Sequence, residues 1–212
     1  TQKRVVRIAF LGDSYIEGDI LTADVRAQLQ TAYGGRGVGF VPFSTPLAQF
    51  RPTVKLTYGG WKNYNLIQKK SAAEDVKDRF YVSGIVSVPQ GAQAWSRFET
   101  TSFRPNLASV SSARLFFTNT ASSEITMIVN DTIERKFCPV ADEQVQQINV
   151  SGSGIKSVKI SVDKPEGFYG YGVVLESGRG VSVDNYSIRS NSGLALFGTS
   201  GEVNRRINRM LG

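Results

Sequence analysis

Hydrophobic residues near the start of the chain form one short run that is followed by a helical pattern. Residues 5–11, VVRIAFL, are almost wholly apolar, which is typical of a buried parallel strand. After a polar turn, Leu21, Val25 and Leu29 recur at helical spacing, and the glycine pair at 34–35 is expected to end the helix. This part of the chain therefore predicts the strand–turn–helix unit that opens an α/β fold.

The pattern changes to a period of two over residues 78–177. Ile125, Met127 and Val129 alternate with polar neighbours, and many other short segments in this range do the same. Turn residues such as Asn130-Asp131 separate the segments. Roughly seven or eight short strands of this kind predict an antiparallel β-sandwich of jelly-roll type.

The tail returns to α/β patterning. Residues 180–188, GVSVDNYSI, predict a second strand. Thr199 and Glu202 have the spacing of a capping box, and Val203 and Ile207 begin an apolar face that continues to the end of the sequence. We therefore expect an amphipathic helix after this strand.

The two patterns together predict two domains. Residues 1–77 and 178–212 would form part of an α/β domain, and residues 78–177 would be a β-sandwich inserted into it. Two strands and two helices are too few for a complete α/β sheet, so more of that domain is expected after Gly212.

Composition and charge narrow the function classes. The chain is 41% hydrophobic and 20% charged, and it has no apolar run long enough to span a bilayer. The net charge is +7, but the densest basic group, Arg205, Arg206 and Arg209, lies on the predicted outer face of a helix, so no nucleic-acid partner is expected. Histidine is absent and Cys138 is the single cysteine, so we predict no metal site and no cofactor.

Gly12-Asp13-Ser14 is the motif most suggestive of chemistry. It comes directly after the first predicted strand, and α/β folds place their sites at the carboxyl ends of such strands. The amide of Ser14 would lie near a helix N-terminus, where it could donate to a developing oxyanion. The alternative is structural, with Asp13 or Ser14 only capping the helix.

Three segments resemble blocks of the SGNH/GDSL serine hydrolases. Residues 10–29, FLGDSYIEGDILTADVRAQL, resemble block I, and residues 34–43, GGRGVGFVPF, resemble the segment after block I in secreted bacterial O-acetylesterases of polysaccharides and peptidoglycan. Residues 183–193, VDNYSIRSNSG, resemble block II. The resemblance implies a flavodoxin-like α/β fold, with Ser14 as nucleophile and oxyanion donor and Gly193 as a second oxyanion donor.

The same resemblance implies that the strand at 5–11 pairs in parallel with the strand near 181–188. It also implies that the inserted sandwich is similar to a carbohydrate-binding module. The family's oxyanion asparagine has no convincing match here, and its catalytic histidine cannot be present. Without that general base a serine hydroxyl is a poor nucleophile, so the chain alone is expected to be inactive.

The sequence therefore predicts a fragment of a periplasmic or extracellular esterase. It would remove O-acyl groups, above all O-acetyl groups, from a polysaccharide or from peptidoglycan, with the histidine supplied by a missing C-terminal part of the same protein. One alternative is a non-catalytic carbohydrate-binding or adhesion module on a degenerate hydrolase frame. Another is a structural protein in which Gly-Asp-Ser is only a turn.

Two further residues are predicted to contact substrate. Trp61, beside Gly59-Gly60 and two tyrosines, could form an aromatic rim for a sugar ring. The structural alternative for Trp61 is packing between domains. Asn191, in the turn after the second predicted strand, is the other candidate contact.

Overall fold

The computed structural model describes residues 5–163 and 166–212. Within these ranges the α-helices are α1 (Ile20–Tyr33), α2 (Glu74–Lys77) and α3 (Gly201–Leu211). The strands are β1 (Val5–Gly12), β2 (Gly39–Val41), β3 (Val54–Gly59), β4 (Trp61–Asn65), β5 (Ile85–Pro89), β6 (Gln93–Thr100), β7 (Val110–Asn119), β8 (Glu124–Val129), β9 (Ile133–Phe137), β10 (Asp142–Ile155), β11 (Ser157–Asp163), β12 (Phe168–Glu176) and β13 (Gly180–Ser187).

Two antiparallel sheets form a β-sandwich. The first has the strand order β3-β6-β11-β8-β9, and the second has the order β10-β7-β12-β5-β4, with β2 also paired to β12. The apolar positions of the period-two pattern meet between the sheets, where Ile125, Met127 and Ile160 are fully buried. Stacked rings of Phe117 and Phe168, with centroids 5.2 Å apart, fill the centre of this core.

The six-stranded sheet is covered on both faces. Every residue of β12 is buried, because one face contacts the first sheet and the other contacts a second hydrophobic cluster. In that cluster Val203, Ile207 and Leu211 of α3 lie with Tyr81 and Tyr186. The predicted apolar face of the last helix is therefore confirmed, but it packs on the sandwich. The helix is capped by Ser200, whose hydroxyl accepts from the amide of Val203, and not by the predicted Thr199.

The first and last strands pair in parallel, as predicted. The register runs from Val5 opposite Gly180 to Gly12 opposite Ser187. Helix α1 packs on β13 and ends at Gly34, as the glycine pair predicts. Glycine is required next to it, because Gly35 has a φ of 115° and a Cβ there would lie 2.3 Å from the carbonyl oxygen of Val181.

The predicted fold class is wrong. The described chain has far more strand than helix, and eleven of its thirteen strands lie in two antiparallel sheets, so the fold is a β-sandwich and not a flavodoxin-like α/β fold. Parallel pairing is confined to β1 and β13 among the described strands. The physical reason is that β2, which could have extended a parallel sheet, forms its backbone hydrogen bonds with β12 instead. That pairing is antiparallel and makes β2 part of the sandwich.

The sandwich sheets also include strands from before residue 78. β2 and β4 pair within the six-stranded sheet, and β3 pairs with β6 in the other sheet. The division of the chain at residues 78 and 177 stays a prediction.

The buried face of α1 differs from the one that its apolar residues suggest. Thr22, Arg26 and Gln30 are buried, whereas Leu21 is 59% exposed. The helix is fixed to the sheet by polar contacts, among them the hydrogen bonds from Gln30 Nε2 to the carbonyl oxygens of Gly37 and Val181.

Candidate functional site

Ser14 lies at the carboxyl edge of the parallel strand pair. β1 and β13 end side by side at Gly12 and Ser187, and the amide of Ile188 donates to the carbonyl oxygen of Gly12 at 3.0 Å. The loop of residues 13–19 and the turn of residues 188–193 therefore leave the sheet together. Arg189 Nη2 and Glu17 Oε2, 2.7 Å apart, form an ion pair between the two segments.

The hydroxyl of Ser14 is exposed and unengaged. Asp13 Oδ1 accepts from the amide of Tyr15 at 3.0 Å, which shapes the turn, and the carbonyl oxygen of Ser14 accepts from the amide of Glu17. Among residues 5–163 and 166–212, no group forms a hydrogen bond with Ser14 Oγ. Because α1 begins at Ile20, Ser14 is too far from the helix to cap it.

Replacement of this hydroxyl should therefore leave stability unchanged. We expect Ser14→Ala to melt at the wild-type temperature, because no intramolecular hydrogen bond is lost. The matched control is Ser200→Ala, which removes the cap of α3 and should lower the free energy of unfolding by about 1 kcal/mol. Thermal melts of both variants test this, and a comparable loss in Ser14→Ala would show that the Ser14 hydroxyl has a structural role.

The turn after β13 holds the second predicted oxyanion donor. Ser190 and Gly193 both have positive φ, of 64° and 88°. The amide of Gly193 donates to Asn191 Oδ1 at 2.9 Å, so Asn191 holds the turn closed. For Gly193 to donate to an oxyanion, this local hydrogen bond must be exchanged. The assignments of Gly193 and Asn191 stay predictions.

Trp61 lies away from this edge, in the core of the sandwich. It is 9% exposed, and its ring packs against Phe43 and Phe168. Its indole Nε1 donates to the carbonyl oxygen of Trp95 at 2.8 Å. Core packing therefore explains the position of Trp61, although the packing is within the sandwich and not between domains. A ring buried in this way is not exposed for stacking on a sugar.

A buried ionic cluster at the end of the Ser14 loop was not predicted. Asp19 is fully buried, and its carboxylate pairs with Arg26 Nη1 at 2.9 Å and with Arg51 Nη2 at 3.3 Å. The hydroxyl of Thr22 and the amide nitrogen of Asn185 also donate to it. Burial opposes ionisation, but the charges of the two arginines and these hydrogen bonds outweigh it and hold the pKa of Asp19 below its usual range.

This cluster fixes the start of α1 and the end of the loop. The sequence does carry a signal for this cluster, because Thr22, Arg26 and Gln30 recur at helical spacing and form a polar stripe along α1. Polar side chains on a buried helix face need hydrogen-bonding or charged partners, so the stripe indicates that such partners are present. Asp19 itself has a φ of 59°, which no sequence pattern indicated.

A second charged network links the parallel pair to the sandwich. Arg7 contacts Asp184 Oδ2 at 2.7 Å and Glu176 Oε2 at 2.5 Å, and Asp184 also accepts from the amide of Phe40 at 2.8 Å. Burial raises the pKa of Tyr186, which lies beside Asp184. Since these groups are engaged with one another, the network joins β1 and β13 to the sandwich.

The loop of residues 13–19 offers no unengaged carboxylate that could act as a general base for Ser14. Its carboxylates are engaged: Asp13 with an amide, Glu17 with Arg189, and Asp19 with two arginines. In the described part of the chain, no group of three metal-binding side chains is close enough to hold an ion. No helix in those same residues is both long and apolar enough to span a bilayer.

Comparison with known proteins shows a fold relative. No protein-family model matches the sequence, and no curated protein matches it. A solved structure described as a peptidoglycan O-acetylesterase in action is 16% identical, with a TM-score of 0.66 over 95% of this chain. The chain spans 52% of that esterase's length.

Carbohydrate-binding modules are matched over a smaller share of this chain. A family 29 module is 11% identical, with a TM-score of 0.38 over 69% of this chain and 91% of that one. A family 61 module in complex with β-1,4-galactotriose is 9% identical, with a TM-score of 0.37 over 64% of this chain and 96% of that one.

Proposed function

We propose that the chain is part of an SGNH-type serine esterase that removes O-acyl groups, above all O-acetyl groups, from a polysaccharide. The observation that carries the proposal is the exposed Ser14 hydroxyl, which has no hydrogen-bond partner among the described residues and lies at the carboxyl edge of the parallel strands. The fold relation to a solved peptidoglycan O-acetylesterase supports the substrate class.

In this proposal Ser14 Oγ attacks the ester carbonyl while a histidine takes its proton. The amides of Ser14 and Gly193 donate to the tetrahedral oxyanion, which requires Gly193 to release Asn191. The histidine then protonates the departing sugar oxygen. Water hydrolyses the resulting acyl-serine, which releases the acid and restores Ser14.

In this proposal the histidine comes from a segment outside this sequence, which contains none. The surface beside Ser14 supports such a segment. Leu11 of β1 is 49% exposed, and Ile20 and Leu21 of α1 are 61% and 59% exposed. Exposed apolar side chains on both elements that flank the Ser14 loop in sequence favour a covering partner.

The sandwich would orient the polymer beside Ser14. A polysaccharide substrate places the protein in the periplasm or outside the cell, and these locations are part of the proposal. The second candidate is a non-catalytic carbohydrate-binding or adhesion module. It is favoured by the fact that every carboxylate of the Ser14 loop is already engaged, which leaves the hydroxyl without a base.

Release of acetate from O-acetylated peptidoglycan separates the two functions. We expect the proposed parent protein, in which this chain is joined to a segment that carries the histidine, to release acetate and to sediment with the insoluble polymer. The 212-residue chain should sediment without releasing acetate. If the parent protein sediments but releases no acetate, the binding module is correct and the esterase is not.

A further inference from the structure

A cavity of about 310 Å³ lies between the Ser14 edge and the sandwich. Glu17 and Arg189, from the two segments that leave the parallel pair, form part of its wall. Its volume is at the lower end of the range for small-molecule sites, so it suits one ring-sized group.

Much of the wall is apolar. The side chains of Phe40, Leu47, Leu56, Ile85 and Ile188 line it, and they come from both the sandwich and the turn after β13. Such walls suit a ligand with a carbon face.

Asn185 lines this cavity and carries a buried acceptor, which a ligand would reach after a small movement of the side chain. Its amide nitrogen donates to the carbonyl oxygen of Ile16 at 2.6 Å, to Asp19 Oδ1 at 3.0 Å and to Thr22 Oγ1 at 2.9 Å. A carboxylate only accepts, so the nitrogen must face Asp19 and the orientation of the amide is fixed. Asn185 Oδ1 is left as a buried acceptor without a partner among the described residues, on a side chain that lines the cavity.

Ser83 lines the same cavity and carries a buried hydroxyl. The residue is 6% exposed, and within the described chain its Oγ has no hydrogen-bond partner. Buried polar groups in proteins are nearly always hydrogen-bonded, and an unpaired one costs about 1–3 kcal/mol. Two such groups in the wall of one cavity favour a ligand that satisfies both.

The charged groups in the wall are already paired. Arg51 contacts Asp19 at 3.3 Å, and Arg189 contacts Glu17 at 2.7 Å. An ionic ligand would therefore have to break one of these pairs, so a neutral ligand fits better.

We propose that this cavity binds one neutral sugar ring, with its hydroxyls donating to Asn185 Oδ1 and Ser83 Oγ and its carbon face on the apolar wall. The choice of a sugar rests on the proposed polysaccharide function. The Glu17–Arg189 pair borders both the cavity and the Ser14 loop, so the bound ring would anchor the polymer next to Ser14.

Ligand titrations followed by NMR test the proposal on the chain itself. The probes are the methyl glycosides of glucose, galactose and N-acetylglucosamine, together with glucuronate and tetrahydropyran, a ring without hydroxyls. We expect at least one neutral glycoside to bind saturably and to shift the side-chain NH₂ signals of Asn185. Tighter binding of glucuronate, equal binding of tetrahydropyran, or no saturable binding of a glycoside would overturn the proposal.

Matched serine variants locate the binding. Ser83→Ala should lower the affinity for the glycoside roughly 3- to 10-fold, because one hydrogen bond is lost. The control is Ser123→Ala, which removes another buried hydroxyl without a partner in the described residues, away from this cavity. It should leave the affinity unchanged, and equal effects of the two variants would place the ligand elsewhere.

Filling the cavity gives an independent variant. Ala48→Phe adds a ring at the wall and should abolish binding while the melting temperature shows that the chain still folds. If Ala48→Phe fails to fold, the comparison of Ser83→Ala with Ser123→Ala decides whether the sugar binds in this cavity. If the cavity binds a sugar but the parent protein releases no acetate, only the proposed esterase function is refuted. If the parent protein releases acetate but the cavity binds no sugar, only the proposed sugar site is refuted.

Discussion

The 212-residue chain should hydrolyse p-nitrophenyl acetate no faster than its Ser14→Ala variant. The reason is the absent general base, since loss of a member of a catalytic triad costs on the order of 10⁴ to 10⁶ in rate. Initial rates of the two proteins at equal concentration provide the measurement.

Robust turnover by the chain would contradict this expectation if Ser14→Ala abolished it. A base would then exist within these residues, and no further segment would be needed for catalysis. Turnover that survives Ser14→Ala would instead come from another group or a contaminant, so it would not bear on Ser14.

Asp19→Ala should be the most destabilising single change near the site. It would leave Arg26, which is fully buried, and Arg51 without their shared carboxylate. Removal of one partner from a buried ion pair typically costs about 3–5 kcal/mol, because the remaining charge is buried and unpaired. The measurement is the free energy of unfolding from urea titration.

Asp78→Ala is the matched control for Asp19→Ala. The Asp78 carboxylate is 98% exposed and lies 3.6 Å from Lys69 Nζ, so its loss should change stability by no more than about 0.5 kcal/mol. Equal losses in the two variants would show that the Asp19 cluster does not hold the loop.

The sequence predicted local elements more reliably than the overall fold. The glycines after α1 and the apolar face of α3 depend on neighbouring residues, and the structure confirms both. The apolar run at 5–11 forms the predicted strand, but its predicted burial is wrong, because no residue of β1 is buried and Leu11 is 49% exposed. The parallel pairing of β1 with β13 was also predicted, but only through a family resemblance. The fold class depends on which strands pair over long distances, and β2 looked like part of an α/β domain although it pairs with β12.

The candidate site was predicted unevenly for the same reason. A motif next to a strand end identified Ser14 as a candidate, and the structure places its hydroxyl at the predicted edge. The ionic cluster that holds the end of the Ser14 loop was not predicted, because Asp19, Arg51 and Asn185 are far apart in sequence and meet only in the fold. Trp61 shows the opposite case, since its glycine and tyrosine neighbours suggested an aromatic rim for a sugar, whereas its ring belongs to the core.

The most direct test of the account is acetate release by the parent protein with and without the Ser14 hydroxyl. O-acetylated peptidoglycan is the substrate, and Ser200→Ala, remote from the chemistry, is the control for handling and folding. We expect Ser14→Ala to lower the rate on the order of 10⁴- to 10⁶-fold while its melting temperature stays at the wild-type value. A Ser14→Ala protein that releases acetate at the wild-type rate would contradict it.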